Sequence, residues 1–193
     1  PMSVYVVVNE GESLQLGIKS SNRKNNGSTA SGNDPTGWFK VDNFRIERVG
    51  DLDDVVKTDD SYTADRIANY DFELGADGIV NRPPNASKGV PYGWTISGDF
   101  PGTSYGINQA ATNLHGDNVC WFQPQRSPIP EGFELSQTIP AAKLGAGRYR
   151  IGCKLYVESG YLGTCRLFAN NSVQYYGAEA DYEANRTEGE ANT

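Results

Sequence analysis

The chain has 193 residues and a formal net charge of −7, from 24 acidic and 17 basic residues. Its length suits one domain, or one domain with a fragment of another, and its acidity disfavours a nucleic-acid backbone or an anionic membrane as partner. No apolar run approaches the roughly 20 residues that cross a bilayer, and no signal-peptide pattern is found. We therefore expect no nucleic-acid binding and no membrane insertion.

The first fifty residues predict three strands. Residues 4–8 are β-branched and aromatic, which is typical of a strand. Residues 13–18 alternate between apolar and other side chains, as in a half-buried strand, and the two runs predict a hairpin. A polar loop over 19–37 follows, and 38–49 predicts another strand.

The rest of the chain predicts a linker and then many short strands. Residues 50–68 begin with a run of aspartates and are predicted to form an acidic linker with one helical turn. No amphipathic pattern of ten or more residues occurs, so an all-β sandwich is predicted. The clearest later strands are 93–97, 118–123, 133–138, 148–157 and 163–170.

The three cysteines leave two readings open. Cys120, Cys153 and Cys165 make an odd number and form no CxxC pair. Cys153 and Cys165 flank a predicted hairpin turn, so they are either buried free thiols or partners in a disulfide.

The residues that enzymes use are sparse. His115 is the single histidine, so no histidine cluster for zinc exists. Neither a GxSxG nucleophile motif nor a GxxxxGK phosphate loop occurs, and the acidic residues form no recognisable catalytic pair. The sequence predicts that the protein is not an enzyme.

Two sets of motifs stand in an unusual order. An opening set begins with Asn-Tyr-Asp-Phe-Glu at 69–73 and Gly-Trp at 93–94. It continues with Phe-Glu-Leu-Ser-Gln-Thr-Ile at 133–139 and a Leu-x-x-Gly-x-Tyr pattern at 144–149. A closing-strand pattern, Trp-Phe-Lys-Val-Asp-Asn-Phe-Arg-Ile at 38–46, precedes them all.

Together these motifs resemble the galactose-binding-like β-jelly rolls, specifically carbohydrate-binding modules of the family 4, 9 and 22 type. The first fifty residues look most like modules in multidomain glycan-degrading proteins of gut Bacteroidetes. The resemblance implies an all-β jelly-roll sandwich in a secreted or cell-surface protein, with the function of a non-catalytic glycan-binding module. It also implies that Trp94, in the Gly-Trp pair, belongs to the core.

The order of the motifs has three readings. Residues 1–50 look like the C-terminal half of the jelly roll, 51–68 like a linker, and 69–193 like the N-terminal half. The chain is a circular permutant, or a cut across tandem modules completed in cis, or a cut completed by exchange in a strand-swapped homodimer. Because 1–50 is too short to bury a core of its own, we expect both parts to share one sandwich.

The resemblance also implies a structural calcium ion between the opening and closing strands. Its ligands would be Asp42 and Glu73, with backbone carbonyls around Asp71, since Ca²⁺ prefers hard oxygen ligands. The alternative is that Asp42 and Glu73 cap turns or pair with Lys40 or Arg45.

Glycan binding requires flat aromatic faces together with amides or arginine on a rigid surface. If Trp121 faces outward, alternation puts Gln123 and Gln125 on the same face of its strand. The alternative is that Trp121 belongs to the core. We expect the glycan-binding residues to be Tyr105, Trp121, Gln123, Gln125 and Arg126.

The competing hypothesis is a structural or protein-interaction domain without glycan binding, because jelly rolls serve many roles and a fold alone does not give a function. An exposed aromatic platform would favour glycan binding.

Overall fold

The computed structural model describes residues 1–21, 39–50, 55–57, 60–75, 77–79, 87–97, 103–109, 118–124, 133–157 and 164–176. For several residues at strand ends and in the central strands it describes the backbone alone. Gln125, Arg126 and His115 lie outside the described residues.

The described elements are almost all strands. A short helix, α1, spans Asp60–Ala64, and a 3-10 turn spans Ala141–Lys143. The strands are β1 (Met2–Val8), β2 (Leu14–Ser21), β3 (Phe39–Val49), β4 (Val55–Lys57), β5 (Ser87–Lys88), β6 (Thr95–Ser97), β7 (Thr103–Gln109), β8 (Asn118–Pro124), β9 (Phe133–Ile139), β10 (Gly147–Val157), β11 (Thr164–Ala169) and β12 (Ser172–Tyr175).

The strands form two antiparallel sheets, which confirms the all-β sandwich predicted from the sequence. The larger sheet has the order β1-β10-β3-β8-β7-β5, with β4 paired to β3. The smaller sheet has the order β12-β11-β2-β9-β6. β3 and β2, both from the first fifty residues, therefore each lie between strands from later residues, whereas β1 lies at the edge of the larger sheet.

The core lies between the sheets and follows the alternation of the strands. Alternate residues of β1 are buried, from Met2 to Val8, as are Tyr149, Ile151 and Cys153 of β10. The smaller sheet contributes three fully buried residues of β2. These are Leu14, Leu16 and Ile18.

One close approach in the smaller sheet requires a glycine. Gly17 of β2 pairs with Ser136 of β9, and a Cβ atom at this position would lie 1.9 Å from the carbonyl oxygen of Leu135. No side chain fits there, so Gly17 sets the distance between β2 and β9.

The region between β4 and β5 adds to the core. Thr63 and Ile67 lie within the predicted linker, yet both are buried. Trp94 is 6% exposed, which confirms its predicted place in the core.

No helix in the described part of the chain is long and apolar enough to cross a membrane.

Candidate functional site

The closing-strand motif and the opening motif meet along one edge of β3. Within the described residues, β3 pairs with β8 over 39–41. Beyond that point the backbone N–H of Phe44 donates to the carbonyl of Tyr70, at 2.9 Å. The segment 69–74 thus takes the place beside β3 that β8 occupies earlier along the strand.

β3 has a bulge at the point where its neighbour changes from β8 to the segment 69–74. Arg45 and Asp42 pair with Gly152 and Lys154 of β10, so three steps along β3 match two along β10. Asn43, inside the bulge, has φ +51°, in a region that asparagine tolerates better than most residues. Asp42, before the extra residue, and Phe44, after it, are both buried, and the shift in register puts Phe44 on the face of Ile46.

Three aromatic rings hold the two segments together. Phe44 of β3 lies 6.1 Å from Phe72 and 4.7 Å from Trp94 between ring centroids, and Phe72 lies 5.2 Å from Trp94. The indole N–H of Trp94 donates to the carbonyl of Asn69, at 3.3 Å. The side chain of Asn69 in turn binds both the backbone N–H and the carbonyl of Leu74. The opening segment is therefore fixed at both ends against the core.

Asp42, two residues before Phe44 of this cluster, is buried with one of its carboxyl oxygens unsatisfied. It has no exposed surface. Its Oδ1 accepts a hydrogen bond from the N–H of Asn43, at 2.6 Å. Among the described residues its Oδ2 has no hydrogen-bond partner, and the same holds for Oδ1 of the neighbouring Asn43. Two adjacent residues at the bulge thus each have a buried side-chain oxygen without a hydrogen-bond partner among the described residues.

The surroundings of Asp42 disfavour a negative charge on its carboxyl group. Burial, and then the charges of Glu73 and Asp71, raise the pKa of Asp42 from 3.8 to about 8. The Asn43 hydrogen bond and the charge of Lys154 lower this pKa but are outweighed. Glu73 and Asp71 therefore lie near enough to Asp42 to repel its charge.

This arrangement bears directly on the expected metal site. Buried oxygen acceptors and nearby carboxylates are the donor set that a hard cation such as Ca²⁺ takes. Within the described ranges, however, no three His, Cys, Asp or Glu side chains are grouped so that they would hold a metal ion. The residues fit the chemistry of a calcium site, but their side chains are not gathered around one point.

The alternative, a pairing of Asp42 or Glu73 with Lys40 or Arg45, stays a prediction. Arg45 forms its ion pair with Asp60 of α1. Lys154 stands opposite Asp42 in the register, and its charge favours ionisation of that carboxyl. Lys40 is 8% exposed, and burial lowers its pKa.

The expected glycan-binding residues fall on two faces of the larger sheet. Cys120 of β8 is buried and pairs with Val41 and Ile107, which are also buried. The next residue, Trp121, pairs with Lys40 on one side and Gly106 on the other. Because faces alternate along a strand, Trp121 belongs to the face opposite Cys120.

The same alternation separates two other candidates. Gln123, two residues after Trp121, pairs with Ser104 and belongs to the face of Trp121. Tyr105 pairs with Phe122 and belongs to the core-side face of Cys120. The backbone register thus brings Trp121 and Gln123 together with Lys40 and puts Tyr105 on the other face.

Sequence reasoning missed two features of this region. The bulge at Asn43 was not predicted, although an asparagine in a strand is the signal that allowed it. Tyr92 was not a candidate either, yet it is half exposed in a turn next to the buried Trp94. The Pro-Tyr-Gly-Trp sequence at 91–94, with its turn-forming glycine, was the signal available for it.

Comparison with known proteins gives no relative: no family model, no curated protein and no solved structure matches the chain.

Proposed function

We propose that the chain is a galactose-binding-like β-jelly roll that serves as a non-catalytic carbohydrate-binding module of a secreted or cell-surface glycan-degrading or glycan-capturing protein. The observation that carries this proposal is the junction of β3 with 69–74. The resemblance required the strand around Asp42 to lie beside Phe72 and Glu73, and the Phe44–Tyr70 hydrogen bond and the Phe44–Phe72 ring contact support it.

The glycan would bind to the outer face of the larger sheet, where Trp121 and Gln123 share a face with Lys40. The aromatic ring would stack on the C–H face of a sugar, and the amide would bind hydroxyls. Gln125 and Arg126, which follow in sequence, would extend the site. Binding of this kind needs no covalent chemistry.

A calcium ion would join the two motif segments at the bulge. Asp42 would supply its unpartnered Oδ2, and Glu73 and a carbonyl near Asp71 would move towards it. Such an ion supplies charge neutralisation and rigidity, since it favours the ionised form of Asp42 and ties β3 to the segment 69–74. Calcium would therefore stabilise the fold and would not act on the glycan.

The test of glycan binding combines an array with calorimetry. The wild-type protein is screened against glucose, xylose, mannose and galactose oligosaccharides, and the affinity for any bound glycan is measured again with Trp121→Ala. We expect the variant to lose at least tenfold in affinity, about 1.4 kcal/mol. Unchanged affinity in Trp121→Ala would move the site elsewhere, and a wild type that binds none of these glycans would contradict the proposed function.

A further inference from the structure

Tyr92 stands on a hydrogen-bonded turn that leads into β6. The backbone N–H of Trp94 donates to the carbonyl of Pro91, at 3.0 Å, and closes a turn over 91–94. Pro91 and Trp94 are both buried, so the turn is anchored at each end. Tyr92, between them, keeps half of its surface exposed, at 50%.

The glycine that follows fixes the path of this turn. Gly93 has φ +79°, which suits the third position of a type II turn. A Cβ atom at Gly93 would lie 2.7 Å from the Cβ of Ala68. The turn is therefore pressed against Ala68, whose backbone is itself bound at both polar groups by the side chain of Gln137.

A second glycine supports the ring of Tyr92 itself. A Cβ atom at Gly78 would lie 3.0 Å from Cδ2 and 3.1 Å from Cε2 of Tyr92, so the ring packs on the bare backbone of Gly78. Gly78 has φ +77° in a tight loop, in which its N–H donates to the carbonyl of Gly75 and the N–H of Gly75 donates to the carbonyl of Ile79. The ring is thus positioned by two loops at once.

Two exposed apolar residues neighbour these two loops in the chain. Ile79 is 66% exposed and Val90 is 37% exposed, and each lies within two residues of Gly78 or Tyr92 in the chain. Asp77 is exposed in the same loop, where its Oδ1 accepts a hydrogen bond from the N–H of Ile79.

We propose that Tyr92 is a second sugar-binding platform, at which the C–H face of a pyranose stacks on the exposed ring that Gly78 supports. This inference rests on the proposed glycan-binding function. A tyrosine has few rotatable bonds and so loses little conformational entropy on binding, and here Gly78 already holds the ring. Because a carboxylate accepts several hydrogen bonds, Asp77 can take a sugar hydroxyl and keep its bond to Ile79.

The platform belongs to a different part of the molecule from the Trp121 face. Trp121 lies in the larger sheet, between β3 and β7, whereas the turn of Tyr92 leads into β6 at the edge of the smaller sheet. An oligosaccharide chain, or two branches of one glycan, would therefore be held at two points, and the affinity for long ligands would exceed that for short ones.

The experiment uses the full chain and calorimetry with the same glucose, xylose, mannose and galactose oligosaccharides. Tyr92→Ala should weaken the binding of a bound oligosaccharide about tenfold, and Tyr92→Phe, which keeps the ring, should stay within about twofold of the wild type. The matched control is Tyr176→Ala, because Tyr176 is 45% exposed but follows β12, and we expect no change. Gly78→Ala should also weaken binding, since its Cβ would displace the ring of Tyr92.

The outcomes separate this inference from the proposed function. If the wild type binds a glycan and Trp121→Ala weakens it while Tyr92→Ala does not, the second platform is refuted and the function stands. If the wild type binds none of the oligosaccharides, both fail. If Tyr92→Ala instead dissociates a dimer seen by sedimentation and leaves glycan affinity unchanged, the patch is an interface between copies of this chain, and the sugar platform is likewise refuted.

Discussion

Replacement of Asp42 by asparagine tests whether ionisation of this buried carboxyl destabilises the fold. The pKa of Asp42 is raised from 3.8 to about 8 by burial and by Glu73 and Asp71. Between these two values the folded protein holds a proton that the unfolded chain has released. The free energy of unfolding must therefore fall as the pH rises through this window, and it levels off above about pH 8.

The size of the effect follows from the width of the window. Each pKa unit corresponds to about 1.4 kcal/mol, so wild-type protein in chelator should lose about 3 kcal/mol between about pH 5 and about pH 7.5. That is a large part of the stability of an ordinary domain, about 5 to 15 kcal/mol. Asp42→Asn keeps an oxygen that accepts the Asn43 hydrogen bond but does not ionise. The variant should therefore lack this slope and be more stable than the wild type at about pH 7.5.

The assay is urea unfolding at both pH values in the presence of a chelator, for the wild type, Asp42→Asn and Asp65→Asn. Asp65 is an exposed acid that follows α1, so its variant should keep the wild-type slope and serves as the control. Subtracting the change in unfolding free energy of one variant from that of the wild type removes the contribution of all the other titrating groups. Equal slopes in the wild type and Asp42→Asn would refute the account of the pocket.

Three further measurements test separate parts of the structure. Gly17→Ala should lower the free energy of unfolding by more than about 3 kcal/mol or prevent folding, because its Cβ has no room beside β9. In the control, Gly11→Ala, nothing lies within 4 Å of the new Cβ, so the loss should be only about 1 to 2 kcal/mol for the positive φ. Similar losses for the two variants in denaturant unfolding would contradict the close approach of β2 and β9. Asn69→Ala should lose about 1 kcal/mol more stability than Asn69→Gly. Both variants lose the two hydrogen bonds to Leu74, but only alanine is strained at φ +49°. Equal losses would show that the positive φ at this position does not destabilise the alanine variant. All three thiols are free and buried, and burial raises their pKa. A thiol reagent should therefore label none of them quickly in the native protein and all three in denaturant. If only one thiol is labelled in denaturant without reductant, the other two form a disulfide.

The strands with clear alternation or β-branched runs were predictable from the sequence. The run 148–157 predicts β10 to within one residue, and 133–138 does the same for β9. β7 was missed because Gly106 interrupts its pattern, and β12 because four residues between turns give little periodicity. Short strands of this kind are fixed by their partners more than by their own sequence.

The linker region shows a different limit of sequence reasoning. Its aspartates indicated solvent, and Asp60 is indeed exposed. Thr63 and Ile67 are nevertheless buried against the core, and the hydroxyl of Thr63 lies 3.4 Å from both the N–H and the carbonyl of Ile46 in β3. A composition average over twenty residues conceals two contacts of this kind, because burial depends on where the chain passes and not on its mean polarity.

The candidate site was predictable as a meeting of two motifs, but its chemistry was not. The resemblance implied Asp42 and Glu73 as a pair; the pocket depends on the bulge at Asn43, which puts two acceptor oxygens where no donor of the described residues reaches them. A buried acceptor without a partner costs about 1 to 3 kcal/mol. The junction is also held by the contacts among the rings of Phe44, Phe72 and Trp94. These contacts do not depend on the charge of Asp42. We therefore expect the aromatic contacts to supply the stability of the junction, and a cation at Asp42 to tune it.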